Sequence, residues 1–186
     1  MISAEYLAEQ QRLHESPKYG VASINFAPIV AQLIRDNRWE SIHDYGAGKR
    51  RLKDALEQLG AEVAYSAYDP VFPEYGSPQS ADLVCCIDVL EHIEFECVDD
   101  VLDDPHRIMP LYGFFSIHTA KADKVLSDGR NAHLIQKPPS WWLPRLCPRF
   151  EIHHLQHHNL MGQGFWVLVS ANARAESSPR NVLLAL

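Results

Sequence analysis

Long apolar runs are absent from this sequence of 186 residues. None approaches the roughly 20 consecutive apolar residues that a membrane-spanning helix needs, and the N-terminus has neither the basic region nor the apolar segment of a secretion signal. The four cysteines show no C-x-x-C spacing, and Cys85 and Cys86 fall in an apolar, strand-like run. This pattern favours reduced thiols. Together these absences predict a soluble, cytoplasmic protein without a membrane partner.

Positive charge is scarce outside one segment. Residues 1–106 contain 8 Lys and Arg against 20 Asp and Glu, whereas residues 107–149 contain 7 against 2. The net charge of −7 argues against binding to the phosphate backbone of duplex nucleic acid. The basic segment is either a solvated surface or a region that attracts an anionic substrate. The second interpretation places four cations at the mouth of a cleft: Lys121, Arg130, Lys137 and Arg145.

The stretch from Ile42 to Leu52 combines a strand end, a glycine turn and a helix start. Gly46 and Gly48 allow the backbone to turn sharply and to approach a ligand closely, and the helix predicted over residues 51–59 directs free N–H groups towards it. Such a loop favours a polar or anionic group. The alternative is a plain glycine turn, because glycine turns after strands are common.

Two further strand ends are expected at the same edge of the sheet. Residues 64–68 form a short strand that leads into Asp69, as a βαβ unit requires, and an acid in this place accepts hydrogen bonds from ribose hydroxyls. The apolar run over residues 81–87 reads as a buried strand and stops at Asp88. Three strand ends therefore converge on one ligand site.

Together these motifs resemble the class I S-adenosylmethionine-dependent methyltransferases, in particular the small, type-11-like proteins with a D-V-L-E-H motif. The resemblance covers about residues 42–119 and implies S-adenosylmethionine as the cofactor. A nicotinamide dehydrogenase fits less well, because it does not require Asp44 and usually keeps G-x-G-x-x-G. The third glycine of the methyltransferase pattern is Arg50 here. This departure predicts a loop displaced outward or an Arg50 side chain in solvent.

The resemblance implies that Asp44 contacts the amino group of the cofactor's methionine part and that Asp69 binds its ribose. Asp88 and Val89 would line the adenine and methionine side. Tyr19 would cover the cofactor, with simple ring packing as the alternative. The complete set of implied cofactor-binding residues is Tyr19, Asp44, Gly46, Ala47, Gly48, Asp69, Pro70, Asp88 and Val89.

The resemblance also implies an α/β fold with a Rossmann-like, doubly wound, mostly parallel sheet and an antiparallel C-terminal hairpin. One domain is expected over residues 1–186, with N-terminal lid helices over about 1–38 and a substrate insertion over about 120–149. Within that insertion, residues 121–126 are predicted to form a short helix. Only 12 residues separate Asp69 from Asp82, and their prolines and glycine favour a loop where the family has a helix and a third strand. One edge of the sheet is therefore predicted to be trimmed.

Three polar residues are candidates for catalysis: His92, Glu91 and His133. Methyl transfer from a sulfonium is an in-line displacement that needs mainly alignment and exclusion of water, and a base is needed only when the nucleophile carries a proton. Because the ordinary pKa of histidine is near neutral, His92 is suited to that role. The alternative is that His92 caps or packs a helix.

A metal site is the alternative use of the same residues. Asp88, Glu91 and His92 with the distal His133 resemble the arrangement in Hen-type RNA 3′-end 2′-O-methyltransferases and in some ubiquinone-pathway O-methyltransferases, where a divalent ion activates a hydroxyl. However, D-V-L-E-H also occurs in metal-free relatives, and the first acid is Asp rather than Glu. The expectation from the sequence is therefore that no metal is bound.

The resulting hypothesis is an enzyme that transfers a methyl group from S-adenosylmethionine to an O or N atom of a small metabolite or nucleotide, which the basic segment suggests is anionic. The alternatives are a metal-assisted RNA 3′-end 2′-O-methyltransferase and a catalytically silent cofactor-binding or interaction module of the same fold. Several titratable groups in one cleft, namely His92, His118 and His133, favour an enzyme.

Overall fold

The computed structural model describes residues 2–160 and 162–172. Residues 173–186, which the prediction of one domain includes, lie outside the described residues. The described strands are β1 (Ser41–Tyr45), β2 (Ala64–Tyr68), β3 (Leu83–Ile87), β4 (Tyr112–His118), β5 (Phe150–His158) and β6 (Gly164–Ala171). The described helices are α1 (Ala4–His14), α2 (Ser23–Asn37), α3 (Arg51–Gln58), α4 (Val98–Ile108) and α5 (Pro139–Leu146).

The six described strands form one sheet in the order β2-β1-β3-β4-β6-β5. Strands β1 to β4 pair in parallel, β6 is antiparallel to β4, and β5 is antiparallel to β6. This topology confirms the predicted Rossmann-like fold with a C-terminal hairpin. The chain after β2 makes only one 3-10 turn, Pro73–Tyr75, before it returns to β3. Within the described part of the chain β2 is therefore an edge strand, as the missing third strand predicts.

Two apolar cores lie on opposite faces of this sheet. Because neighbouring residues of a strand point to opposite faces, Cys85 and Phe114 pack in the core with α2 and α3, whereas Cys86 and Phe115 pack in the core with α4 and α5. Burial on both faces explains why β3 is an unbroken apolar run. All four cysteines are free, as predicted.

The segment between β4 and α5 differs from the prediction. Residues 121–126 do not form a helix, because the side chain of Asn131 accepts from the Ala122 N–H at 2.9 Å and donates to the Ala122 carbonyl at 2.8 Å. These bonds satisfy backbone groups that a helix would use and stabilise a turn. Val125 and Asn131 instead form an isolated antiparallel bridge.

Helix α1 begins directly after Ser3. The hydroxyl of Ser3 accepts a hydrogen bond from the Tyr6 N–H at 3.1 Å and so caps the first turn. The Ser3 backbone N–H and hydroxyl also donate to the carboxylate of Glu94, at 2.7 and 2.8 Å. Among the described helices, none combines the length and the apolar character needed to cross a bilayer.

Candidate functional site

The carboxyl ends of β1, β2, β3 and β4 open into a cavity of about 390 Å³. This volume lies within the range of small-molecule sites, and its place beyond the strand ends is where open α/β sheets bind ligands. Helix α1 and the segment that follows it form the opposite wall. All of the cofactor residues that the sequence implied line the cavity: Tyr19, Asp44, Gly46, Ala47, Gly48, Asp69, Pro70, Asp88 and Val89.

The glycine loop is fastened to the end of β2. The N–H groups of Gly46 and Ala47 donate to the carbonyl of Tyr68 at 2.8 and 3.0 Å. Gly46 has a φ of 77°, and a Cβ at this position would lie 2.4 Å from a methyl group of Val89. Glycine at position 46 thus permits both the left-handed turn and the close approach of the segment after β3.

The side chain of Arg50 points into solvent, which is the second of the two outcomes predicted for the missing third glycine. The residue is exposed, has a left-handed φ of 57°, and places its guanidinium 4.8 Å from the centre of the Tyr75 ring. The Tyr75 hydroxyl in turn donates to the Gly48 carbonyl at 3.1 Å. The short loop that replaces the third strand therefore supports the glycine loop from outside the cavity.

Asp69 is oriented by the backbone. The N–H groups of Gly48 and Val71 donate to its two carboxylate oxygens, each at 2.8 Å. Burial raises the pKa of Asp69, and these two hydrogen bonds oppose the rise. Since a carboxylate has about four acceptor positions, each oxygen keeps the capacity to accept one more hydrogen bond, such as that of a ribose hydroxyl.

Asp44 lies deeper in the wall and is held by a residue that the sequence reasoning missed. Its Oδ2 accepts a hydrogen bond of 2.6 Å from the hydroxyl of Tyr65. Burial raises the pKa of Asp44 to about 7, the Tyr65 bond lowers it, and Asp69 raises it further. The alternation of side chains along β2 was the available signal, but only the strand register identifies the partner.

Asp88 sits at the centre of the cavity in a strained conformation. Its φ is 59°, which is uncommon for a residue other than glycine, and its N–H lies 3.2 Å from both the carbonyl and the hydroxyl of Ser116. Burial favours a raised pKa, but His92 and the other polar neighbours outweigh it, so the Asp88 pKa falls below its ordinary value. Asp88 is therefore ionised at neutral pH.

Glu91, predicted to act in catalysis, lies beneath the cavity rather than on its wall. Its Oε1 accepts a hydrogen bond of 2.6 Å from the backbone N–H of His118, at the end of β4. Burial and the neighbouring Asp88 raise the pKa of Glu91 well above its ordinary range. The Glu91 side chain thus holds the end of β4 in place.

His92 and His133 line the cavity together, with ring centres 4.7 Å apart. The Nδ1 atom of His92 lies 2.8 Å from the Ala132 carbonyl, and that of His133 lies 2.7 Å from the Ala120 carbonyl. Because a carbonyl oxygen only accepts, each ring carries its proton on Nδ1 and leaves a lone pair on Nε2. Burial lowers the pKa of His92 to about 4, so this ring is neutral at physiological pH.

One potential ligand atom from each of Asp88, His92 and His133 lies within 4.8 Å of the other two. A fourth polar group, His118 Nε2, lies 3.9 Å from Asp88 Oδ1. The tertiary structure therefore brings together three of the four residues on which a metal alternative depends.

Helix α1 contributes a buried polar wall that the sequence reasoning also missed. Gln10 donates from Nε2 to the Tyr6 hydroxyl at 2.5 Å, and the Tyr19 hydroxyl donates to Gln10 Oε1 at 2.9 Å. Tyr6, Gln10 and His14 all line the cavity. Their spacing of four residues, which places side chains on one helix face, was the signal in the sequence.

The basic segment contributes little to the cavity. Of the four cations expected at its mouth, only Lys121 lines the cavity, together with Lys124. Arg130 pairs with Asp128 at 2.6 Å, and the Arg145 guanidinium stacks 3.5 Å from the centre of the Trp141 ring. The prediction that Arg130, Lys137 and Arg145 line the mouth is wrong, because nearby side chains engage both arginines and Lys137 lies outside the lining.

Comparisons with known proteins give structural but not sequence matches. No protein-family model matches the chain, and no curated protein matches it by sequence. The 1,6-didemethyltoxoflavin-N1-methyltransferase of Burkholderia thailandensis, solved with its namesake compound and S-adenosylhomocysteine, superposes with a TM-score of 0.63 and 14% identity over 93% of this chain and 92% of that chain. The magnesium protoporphyrin IX methyltransferase of Synechocystis, solved with S-adenosylhomocysteine, gives 0.57 and 12% over 91% and 95%.

A third solved structure, the mitomycin 7-O-methyltransferase, gives a TM-score of 0.63 and 15% identity over 88% of this chain and 60% of that chain. Identities this low bear on the fold alone. The chain has the fold of the class I S-adenosylmethionine-dependent methyltransferases, with the sheet shortened at the β2 edge.

Proposed function

We propose that this protein transfers a methyl group from S-adenosylmethionine to an oxygen or nitrogen atom of a small molecule. The observation that carries the proposal is the lining of one cavity. Residues that the sequence implies for the cofactor come from three separate strand ends and line this cavity together with His92 and His133. In both histidines Nδ1 carries the proton and Nε2 is unprotonated. The bound S-adenosylhomocysteine of two structural neighbours supports the choice of cofactor.

The cofactor's parts match the chemistry of the wall. Asp69 would accept hydrogen bonds from the ribose hydroxyls, and Asp44 would face the ammonium group of the methionine part. The positive φ of Gly46 and Gly48 gives the loop the sharp turn that would bring its backbone beneath the ligand. Tyr19 would close the site from the α1 side.

The acceptor would lie between the sulfonium and the pair His92 and His133. S-adenosylmethionine, when bound, would supply the methyl group to the acceptor's electron pair and would leave as S-adenosylhomocysteine. The acceptor's proton passes to Nε2 of His92 or of His133, each of which carries a lone pair because its Nδ1 proton is bound to a carbonyl. Placement in this cavity would supply the alignment that the displacement needs.

Calorimetry with S-adenosylmethionine tests the cofactor assignment. We expect binding at about micromolar concentration or tighter, and a loss of about 1.5–3 kcal/mol in Asp69→Ala, because a hydrogen bond to a charged acceptor is removed. Asp54→Ala, an exposed acid on α3 with a long 3.9 Å contact to Arg51, is the matched control. An unchanged affinity in Asp69→Ala contradicts the ribose assignment.

Transfer of a tritiated methyl group to a panel of metabolites and nucleotides separates the enzyme from a silent module. An enzyme labels at least one acceptor, and His92→Gln lowers the rate while the affinity for S-adenosylmethionine stays within a few-fold. Binding of the cofactor without labelling of any acceptor favours the silent module.

We further propose that the acceptor is anionic. Lys121 and Lys124, rather than Arg130 and Arg145, would attract its negative charge. Both lysines line the cavity, together with Asp123, so the attraction is modest. The test is the salt dependence of acceptor affinity in the wild type and in Lys121→Ala with Lys124→Ala. A flat salt response in the wild type favours a neutral acceptor.

A metal-assisted O-methyltransferase, such as one acting on an RNA 3′ end, is a second candidate. The clustering of Asp88, His92 and His133 within 4.8 Å supports it, since a carboxylate and two imidazoles suit a divalent ion that activates a hydroxyl. Glu91, the fourth residue of that resemblance, is instead bound to the His118 backbone. Activity lost in chelator and restored by magnesium, manganese or cobalt favours this candidate, and an unchanged rate removes it.

A further inference from the structure

We propose that Tyr65 is a positioning residue for the cofactor: its hydroxyl fixes one oxygen of Asp44 so that the other oxygen faces the cavity and binds the ammonium group of S-adenosylmethionine. The inference rests on the proposed function, because it takes S-adenosylmethionine as the ligand. It adds a role for a residue of the edge strand that no sequence motif singled out.

Strand register places the two side chains on one face of the sheet. Asp44 of β1 pairs with Ala67 of β2, and Tyr65 lies two residues before Ala67. Residues two apart on a strand share a face, and a long aromatic side chain reaches a diagonal neighbour. The Tyr65 hydroxyl therefore meets Asp44 Oδ2 at 2.6 Å, the length of a strong bond to a carboxylate.

The two carboxylate oxygens of Asp44 differ in their hydrogen bonds to the protein. Oδ2 accepts from Tyr65, whereas Oδ1 accepts no hydrogen bond from a residue that the structure describes. Asp44 is only 3% exposed and lines the cavity. A buried carboxylate requires a cation or several donors, and across residues 2–160 and 162–172 no Lys or Arg pairs with Asp44. The ligand's cation is the partner that this arrangement lacks.

The ionisable neighbours of Asp44 come from β2, from the loop that follows it and from β3. Tyr65 of β2 donates to it, Asp69 after β2 repels its negative charge, and Cys85 and Cys86 of β3 are buried thiols whose raised pKa keeps them neutral. Burial raises the Asp44 pKa to about 7, and Tyr65 is the group that lowers it. Loss of the hydroxyl therefore raises the pKa further.

The pH dependence of cofactor affinity follows from these signs. The ionised form of Asp44 binds the ammonium, so affinity falls as the pH drops through the Asp44 pKa. In Tyr65→Phe the pKa is higher, and affinity begins to fall at a higher pH. A residue that only packs the edge of the sheet would change affinity without moving this midpoint.

The experiment is calorimetry of S-adenosylmethionine with the full chain between pH 5 and pH 8. Tyr65→Phe keeps the ring and removes the hydroxyl; we expect affinity at pH 7 to fall about tenfold and the midpoint to move up by about one pH unit. Tyr112→Phe is the matched control, because Tyr112 is also a buried strand tyrosine but lies at the amino end of β4, outside the cavity lining. It should keep the wild-type midpoint.

A second measurement needs no substitution. In the wild type, affinity for S-adenosylmethionine should fall on acidification, whereas affinity for methylthioadenosine, which lacks the ammonium group, should fall much less. Equal pH responses of the two ligands, or equal midpoints in wild type and Tyr65→Phe, would overturn the proposal. Failure of the wild type to bind S-adenosylmethionine at any pH would instead refute the proposed function on which it rests.

Discussion

Substitution of Gly46 by alanine tests the tight junction between the glycine loop and the segment after β3. Gly46 has a φ of 77°, and the new Cβ would lie 2.4 and 2.9 Å from the two methyl groups of Val89. The left-handed conformation costs a residue with a Cβ about 1–2 kcal/mol. Overpacking against Val89 adds about 1–3 kcal/mol. The expected loss in the free energy of unfolding is therefore about 2–5 kcal/mol.

Gly60 supplies a matched control for the conformational part. Its φ is 68°, and a Cβ there would meet nothing within 4 Å. Gly60→Ala should therefore lose only the backbone contribution of about 1–2 kcal/mol. Urea unfolding measures the loss in the free energy of unfolding in each variant, provided that the m value does not change. The difference between the two losses is the contribution of the clash with Val89.

A double-mutant cycle with Val89→Ala checks the assigned cause. Because Val89→Ala removes both of the methyl groups that the new Cβ meets, the double variant should be more stable than the sum of the single effects by about 0.5–3 kcal/mol. Equal losses in Gly46→Ala and Gly60→Ala, or strict additivity in the cycle, would show that Val89 does not limit position 46.

The remaining predictions concern a tryptophan of the apolar core, Trp142, and a buried histidine of β1, His43. Trp142 is fully buried, so Trp142→Ala should lower the free energy of unfolding by about 3–5 kcal/mol, whereas the same change at the partly exposed Trp141 should lower it less; urea unfolding decides. Burial lowers the pKa of His43 to about 4, so the unfolded chain binds the extra proton first and stability falls as the pH drops from 6.5 towards 4, by up to about 3 kcal/mol for this residue. An acid titration of stability that is equally steep in His43→Gln contradicts this assignment.

The cavity-lining residues at the strand ends could be predicted because each depends on local features of its own segment. The glycine loop at residues 46–48, Asp69 and Asp88 each follow a strand directly, and the carboxyl ends of parallel strands meet at one edge of a sheet. The trimmed edge could be predicted as well, since the 12 residues between Asp69 and Asp82 leave too little chain for a helix and a strand.

Contacts between distant segments were decided by the tertiary structure alone. The hydrogen bond from Tyr65 to Asp44 depends on strand register, which the side-chain alternation of β2 does not specify. Glu91, a candidate for catalysis from the sequence, lies in a single 3-10 turn, Leu90–His92, and accepts a hydrogen bond from the His118 backbone N–H.

The sequence by itself thus determined the fold class, the strand ends and the polar residues that line the cavity beyond them, because each is encoded within one short segment by periodicity, glycine or an acid after a strand. Only the tertiary structure decided which polar groups form hydrogen bonds with one another and which lie close enough together to be potential metal ligands. Those pairings join residues tens of positions apart, such as His92 and the Ala132 carbonyl at 2.8 Å. Their side-chain directions follow from how the helices and strands pack together.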